Sequence, residues 1–128
     1  MRALLSILLL LTPLPAGAFT ARNGMEVAKS GATDIAVLWE NGRRDTDYWC
    51  AAGDYAQRVL NQSGDTRLWR ASDKPRRAGQ GILFTLDPTR QAPGAGLSQF
   101  GAGPRDGAIT VAAAIGGHCR IRLPFPLD

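Results

Sequence analysis

The chain has 128 residues, and 15 basic against 11 acidic residues give it a formal net charge of +4 at neutral pH. Once an N-terminal leader is set aside, that length suits one small domain and leaves no room for two. The basic excess comes with no nucleic-acid-binding motif, so nucleic acid is not an expected partner; the single histidine rules out multi-histidine metal sites, and with two cysteines it falls short of a closed zinc site without a carboxylate, so no metal or cofactor is expected.

Residues 1–18 read as an export signal. Arg2 supplies a positive start, Ala3 to Leu11 is an almost unbroken apolar run, and Thr12 to Pro15 breaks it before the small residues Ala16-Gly17-Ala18. The mature chain is expected to start at Phe19 and to form one domain over residues 19–128. The apolar run is shorter than the roughly 20 residues that cross a bilayer, and no cysteine follows the cleavage site to take a lipid. No stable membrane anchor is therefore expected, and the predicted location is periplasmic or extracellular. Removing Arg2 leaves 14 basic and 11 acidic residues, a net charge of +3.

In chain order, Met25, Val27 and then Asp34 to Trp39 look extended, with turn chemistry at Lys29-Ser30-Gly31-Ala32 between them, and predict an opening hairpin. Asn41-Gly42-Arg43-Arg44 is a second turn, after which Asp45 or Thr46 is the expected N-cap of a helix. From Asp47, apolar residues recur at three- and four-residue steps through Trp49, Ala52, Tyr55, Ala56 and Val59 to about Leu60, where Asn61, Ser63 and Gly64 provide the stop. Asp45, Asp47 and Asp54 are expected on the surface of this capped helix, while Gly53, costly in a helix interior, predicts close approach of another backbone, read as a crossing strand.

Two strands are expected next, Thr66 to Ala71 and Gly81 to Asp87, joined by the basic, turn-rich stretch Ser72 to Gln80. Pro88 to Gly107 reads as a long Pro/Gly loop. Ala108 to Ile115 suits a buried strand, although its alanines also permit a helix, and Cys119 to Leu123 predicts a last short strand. Together these elements argue an α+β domain, a mainly antiparallel sheet with one principal helix packed on one face.

In an oxidising compartment Cys50 and Cys119 are expected to form one disulfide, closing a loop of about 70 residues and contributing roughly 4 kcal/mol on the chain-entropy estimate. It would tie the first turn of the helix to the C-terminal strand.

The decapeptide Asp47-Tyr48-Trp49-Cys50-Ala51-Ala52-Gly53-Asp54-Tyr55-Ala56 resembles small exported bacterial proteins of unassigned function. The signal followed at once by Phe19-Thr20-Ala21, and a second cysteine close to the C-terminus, share the resemblance. It implies a bacterial envelope location and supports the disulfide; it carries over no activity, ligand or catalytic residue.

For function, the leading expectation is a non-enzymatic binding or accessory module of the cell envelope. Arg67, Arg70, Lys74, Arg76 and Arg77, with Trp69 among them, form a basic stretch whose guanidinium forks suit carboxylate or phosphate on an anionic envelope component or another exported protein. The plainer reading is an ordinary solvated surface. Trp39, Trp49, Tyr55 and Trp69 are expected as core or core-edge partners, and alternatively as an exposed platform beside the arginines that stacks a sugar ring. An enzymatic alternative is a thiol hydrolase: Cys50 near a helix N-terminus, its thiol acidified there, with His118 reaching across from a late strand as base. Against it, Cys119 follows His118 and falls on the opposite face of any regular strand. A third reading is an inhibitor or accessory protein recognised through the 88–107 loop.

Overall fold

The computed structural model describes residues 19–72, 77–92 and 108–119. Within them lie strands β1 (Phe19–Thr20), β2 (Glu26–Lys29) and β3 (Asp34–Val37), helix α1 (Asp45–Arg58), strands β4 (Arg67–Arg70), β5 (Ile82–Thr85) and β6 (Ile109–Thr110), and helix α2 (Val111–His118), with a 3-10 turn at Pro88–Arg90. The leader expected over residues 1–18, most of the 88–107 loop, Lys74 and Arg76, and the strand expected beyond Cys119 lie outside the described residues.

The fold is α+β. Its sheet runs β1-β2-β3-β5-β4-β6 with every neighbouring pair antiparallel. Register assigns the faces, because directly opposed residues point to the same side. Phe19 opposes Val27, Val27 opposes Val37, Val37 opposes Ile82, and Ile35 opposes Phe84, which in turn opposes Arg70. This row is the helix-facing side. α1 lays Tyr48, Trp49, Ala52 and Ala56 on it, all buried, and the Trp49 and Phe84 rings meet edge to face with centroids 4.8 Å apart. The opening hairpin forms as expected, with Gly31 at φ 105° in its turn.

α1 starts at Asp45, one or two residues before its expected beginning. Arg44, and neither Asp45 nor Thr46, is the N-cap, because the Asp47 carboxylate reaches back to accept the Arg44 backbone N–H at 2.9 Å. At the other end Asn61 takes a left-handed φ of 54°, and the Gln62 N–H returns to the Ala56 carbonyl at 2.9 Å.

The strand expected over Ala108 to Ile115 is instead the two-residue β6 followed by α2. Thr110 caps the helix, its hydroxyl accepting the Ala113 N–H at 3.1 Å, and the alanines that follow are the best helix formers. Gly53 does mark a close approach, but of α2 and not of a strand: a Cβ added there would stand 2.8 Å from the Ala114 Cβ. α2 thus covers α1, leaving α1 sandwiched between the sheet and a second helix.

Of the four expected core aromatics, Trp49, Tyr55 and Trp69 are buried. Trp39 is not. It is 43% exposed, beside Leu38 at 47%, just past the end of β3 at Val37.

Candidate functional site

The disulfide joins the two helices. Cys50 is fully buried in the second turn of α1, and Cys119 is the C-cap of α2. The bridge therefore ties helix to helix, not helix to strand. Val111 N–H to Thr66 carbonyl at 2.8 Å and Ala112 N–H to Gly64 carbonyl at 3.0 Å hold the opposite end of α2.

Beside the bridge, at the N-terminus of α1, is an open cleft of about 870 Å³. One wall is the α1 entry, Thr46 and Asp47, with the preceding turn Asn41 to Arg44; the second is Gly117, His118 and Cys119 at the end of α2; Arg22 and Asn23 from the β1–β2 turn complete it. Three guanidiniums against one carboxylate give this lining a formal charge of +2, with His118 neutral. None of these residues is a large apolar one.

Internal contacts hold two of the arginines in place. Arg22 donates from its backbone N–H to Asp54 Oδ2 at 2.8 Å, and from Nε and Nη2 to Oδ1 at 3.0 and 2.8 Å. Arg58, one helical turn on, grips the same carboxylate at 2.9 and 2.6 Å and lies over the Phe19 ring, 4.8 Å from its centroid. Asp54 is completely buried, which corrects its expected surface position. Burial alone would raise its pKa; the hydrogen bonds from Arg58 and Arg22 outweigh that and hold the carboxyl below the usual carboxylate value. Two guanidiniums share one carboxylate, so the cluster keeps a surplus positive charge. Arg43 bonds Glu40 at 2.6 Å and the Asn23 carbonyl at 2.8 Å. Arg44 is exposed at the cleft edge.

Among the described residues, those singled out for binding do not share one exposed face. Arg67 and Arg70 are three apart on β4, and strand alternation sends them to opposite faces. Arg67 is exposed, whereas Arg70 is 2% exposed on the helix-facing side. Trp69 is buried on the far face, opposite Thr85, and Arg77 is exposed. A surface stripe containing Arg70 and Trp69 is therefore not formed. In the 88–107 loop, Asp87 accepts the Thr89 N–H at 2.9 Å to start the 3-10 turn, and Arg90 pairs with the buried Asp34.

Thiol chemistry at Cys50 is corrected as well. Its sulfur is bonded to Cys119 and buried, no described cysteine is free, and the second turn of a helix is beyond the N-terminal groups that acidify a thiol. His118 ends α2 and is not on a strand, so it neighbours the bridge in the cleft lining. Among the described residues no group of three or more His, Cys, Asp or Glu is placed to hold a metal ion, and no helix is long and apolar enough to cross a membrane.

Reading the sequence alone found the Arg43-Arg44 pair and the α1 entry but missed Arg22 and the Arg22–Asp54–Arg58 cluster. The i, i+4 spacing of Asp54 and Arg58 was its one local signal; Arg22 is joined only by the tertiary fold. No protein-family model matches the chain, and no curated protein or solved structure matches it significantly.

Proposed function

We propose that this is a small exported binding module of the bacterial envelope, non-enzymatic and stapled by one disulfide, that holds an anionic component in the cleft between the start of α1 and the end of α2. The observation that carries this reading is the placement of three arginines around one open, ligand-sized cavity. It moves the binding surface from the 67–77 stretch, where Arg70 is buried, to Arg22, Arg43 and Arg44. The internal ion pairs support it further, since pre-positioned guanidiniums lose little freedom when a carboxylate or phosphate docks. Export rests on the leader pattern of residues 1–18 and is compatible with the disulfide.

The test is a titration of the oxidised mature chain with citrate and with inorganic phosphate, followed by backbone amide NMR. Shifts should concentrate at residues 22–23, 41–47 and 117–119 and should vanish in the R43E/R44E variant, whose melting temperature serves as the folding control. Shifts centred on Arg67 and Arg77 would return the site to the basic stretch, and no shift with either anion would remove the anion-binding reading.

A further inference from the structure

We infer that Trp39 is a stacking platform at the rim of this cleft, and that the anion the cleft takes is an acidic saccharide, a sugar ring bearing a carboxylate. The inference rests on the anion-binding reading of the cleft and names its ligand class.

The first argument is the state of Trp39. Large aromatic side chains carry much of a small core's buried area, and Trp49 and Trp69 do bury theirs, whereas Trp39 is 43% exposed. The backbone of the residues on either side of it is nevertheless held. Leu38 N–H donates to the Glu26 carbonyl at 3.0 Å, and Glu40 N–H donates to the Tyr48 hydroxyl at 3.2 Å. Between them, the Trp39 nitrogen lies so close to Gly81 that a Cβ there would be 3.2 Å away. An exposed indole on so constrained a backbone is a pre-organised contact surface and not a frayed loop.

The second argument is position. Asn41, two residues after Trp39, lines the cleft, so the two Cα atoms are at most about 7.6 Å apart. Glu40, the residue between them, anchors Arg43. Trp39 is not itself in the cleft lining, but it and Arg43 and Arg44 lie within one stretch of six residues.

The third argument is the chemistry of the lining. Asn41 and Thr46 offer hydrogen-bonding groups suited to ring hydroxyls, Arg43 and the exposed Arg44 suit a carboxylate, and no large apolar side chain lines the cavity. An apolar ligand finds no partner there. A ligand with a ring face for Trp39, hydroxyls for the Asn41 amide and the Thr46 hydroxyl, and a carboxylate for the arginines matches these groups. The volume is that of a small-ligand site.

The experiment compares three probes on the oxidised mature chain: tetragalacturonate, its methyl-esterified form, which keeps the rings and loses the charge, and tetraglutamate, which keeps the charge and has no ring. Tryptophan emission reports Trp39 above all, because the other two indoles are buried, and amide NMR reports the cleft. Tetragalacturonate should bind and perturb the emission, and the ester and tetraglutamate should each bind at least about ten-fold more weakly. W39A should weaken tetragalacturonate about ten-fold with little change in melting temperature, and W39F, which keeps an aromatic face, should recover most of the loss. W39A that leaves the saccharide affinity intact, or tetraglutamate that binds as tightly as the saccharide, would overturn the inference while the anion cleft stands. If R43E/R44E leaves the affinity of every charged probe unaltered, the cleft reading fails and this inference with it.

Discussion

Gly53 of α1 faces Ala114 of α2 so closely that a methyl group on Gly53 would lie 2.8 Å from the Ala114 Cβ. Two opposed effects act at this position. Alanine is about 1 kcal/mol better than glycine in a helix interior, yet carbon atoms pack near 3.5–4.0 Å, and Ala114 has no flexible side chain to move aside. The clash should win. G53A is expected to destabilise the protein by about 1–2 kcal/mol, and adding A114G should restore part of that loss, a coupling that denaturant unfolding of the four-member cycle measures. A stabilised G53A single variant would show that the helices do not meet this way.

Gly81 presents a harder contact. A Cβ at this position would stand 2.2 Å from the Val37 carbonyl oxygen, a backbone atom in β3, so relief requires moving the strand. G81A should cost about 2 kcal/mol or more, and hydrogen exchange should show lost protection at the Val37–Ile82 end of the β3–β5 pair. Protection equal to the parent protein's would contradict the close approach.

The disulfide closes a sequence separation of 69 residues, worth about 4 kcal/mol by loop entropy. For a domain of this size each kcal/mol moves the melting temperature by about 4–8 °C. The C50A/C119A variant, or the reduced protein, should therefore melt at least about 15 °C lower. Alkylation with intact-mass detection gives a companion readout: a chain starting at Phe19 that takes label only after reduction. An unchanged transition in reductant would remove the bridge as a major source of stability.

Among the described residues, Asp54 and Asp34 are the two buried carboxylates expected to contribute to the acid limit. Burial pushes both carboxyls up, but Arg58 and Arg22 around Asp54, and Thr85, Arg90 and Thr33 around Asp34, bring each below its ordinary value. A depressed folded-state pKa means stability that is fully present above the unfolded value of about 3.9 and is lost as pH falls through the folded value. Melting temperature should hold at neutral pH and drop steeply below about pH 4. D54N, which keeps the shape but not the charge, should be about 2 kcal/mol less stable at pH 7 and should lose less on acidification. Parallel acid profiles for D54N and the parent protein would assign the acid sensitivity elsewhere.

The sequence made strands β2 to β5 and the first helix legible because their signals are local, while β1 and the strand order were not. Alternation in Ile82, Phe84 and their neighbours, turn residues at Gly31 and Gly42, and three- and four-residue steps from Trp49 to Ala56 all act within a few positions. The failures were non-local. Ala108 to Ile115 has a composition that fits a buried strand or a helix, and the choice is settled by the Thr110 cap and by the room Gly53 leaves. Asp54 looked like a surface carboxylate until Arg22, 32 residues away, closed over it. The basic stretch looked continuous in one dimension, but strand geometry buried Arg70 and left Arg67 outside. Trp39 is a residue type that usually packs in a core, yet it lies past the end of β3 at Val37 and is exposed.

The cysteine pair also bears on how quickly this chain reaches its native state. α1 ends at Arg58 and α2 begins at Val111, so in a reduced chain their docking is a long-range search, and folding slows as contacting residues become more distant in sequence. With the bridge already closed, the same two segments start side by side and the loop-closure cost has already been met. Oxidation before folding turns an encounter between segments 69 residues apart at their cysteines into a local one. It also shortens the interval in which the apolar faces of both helices stand open to aggregation.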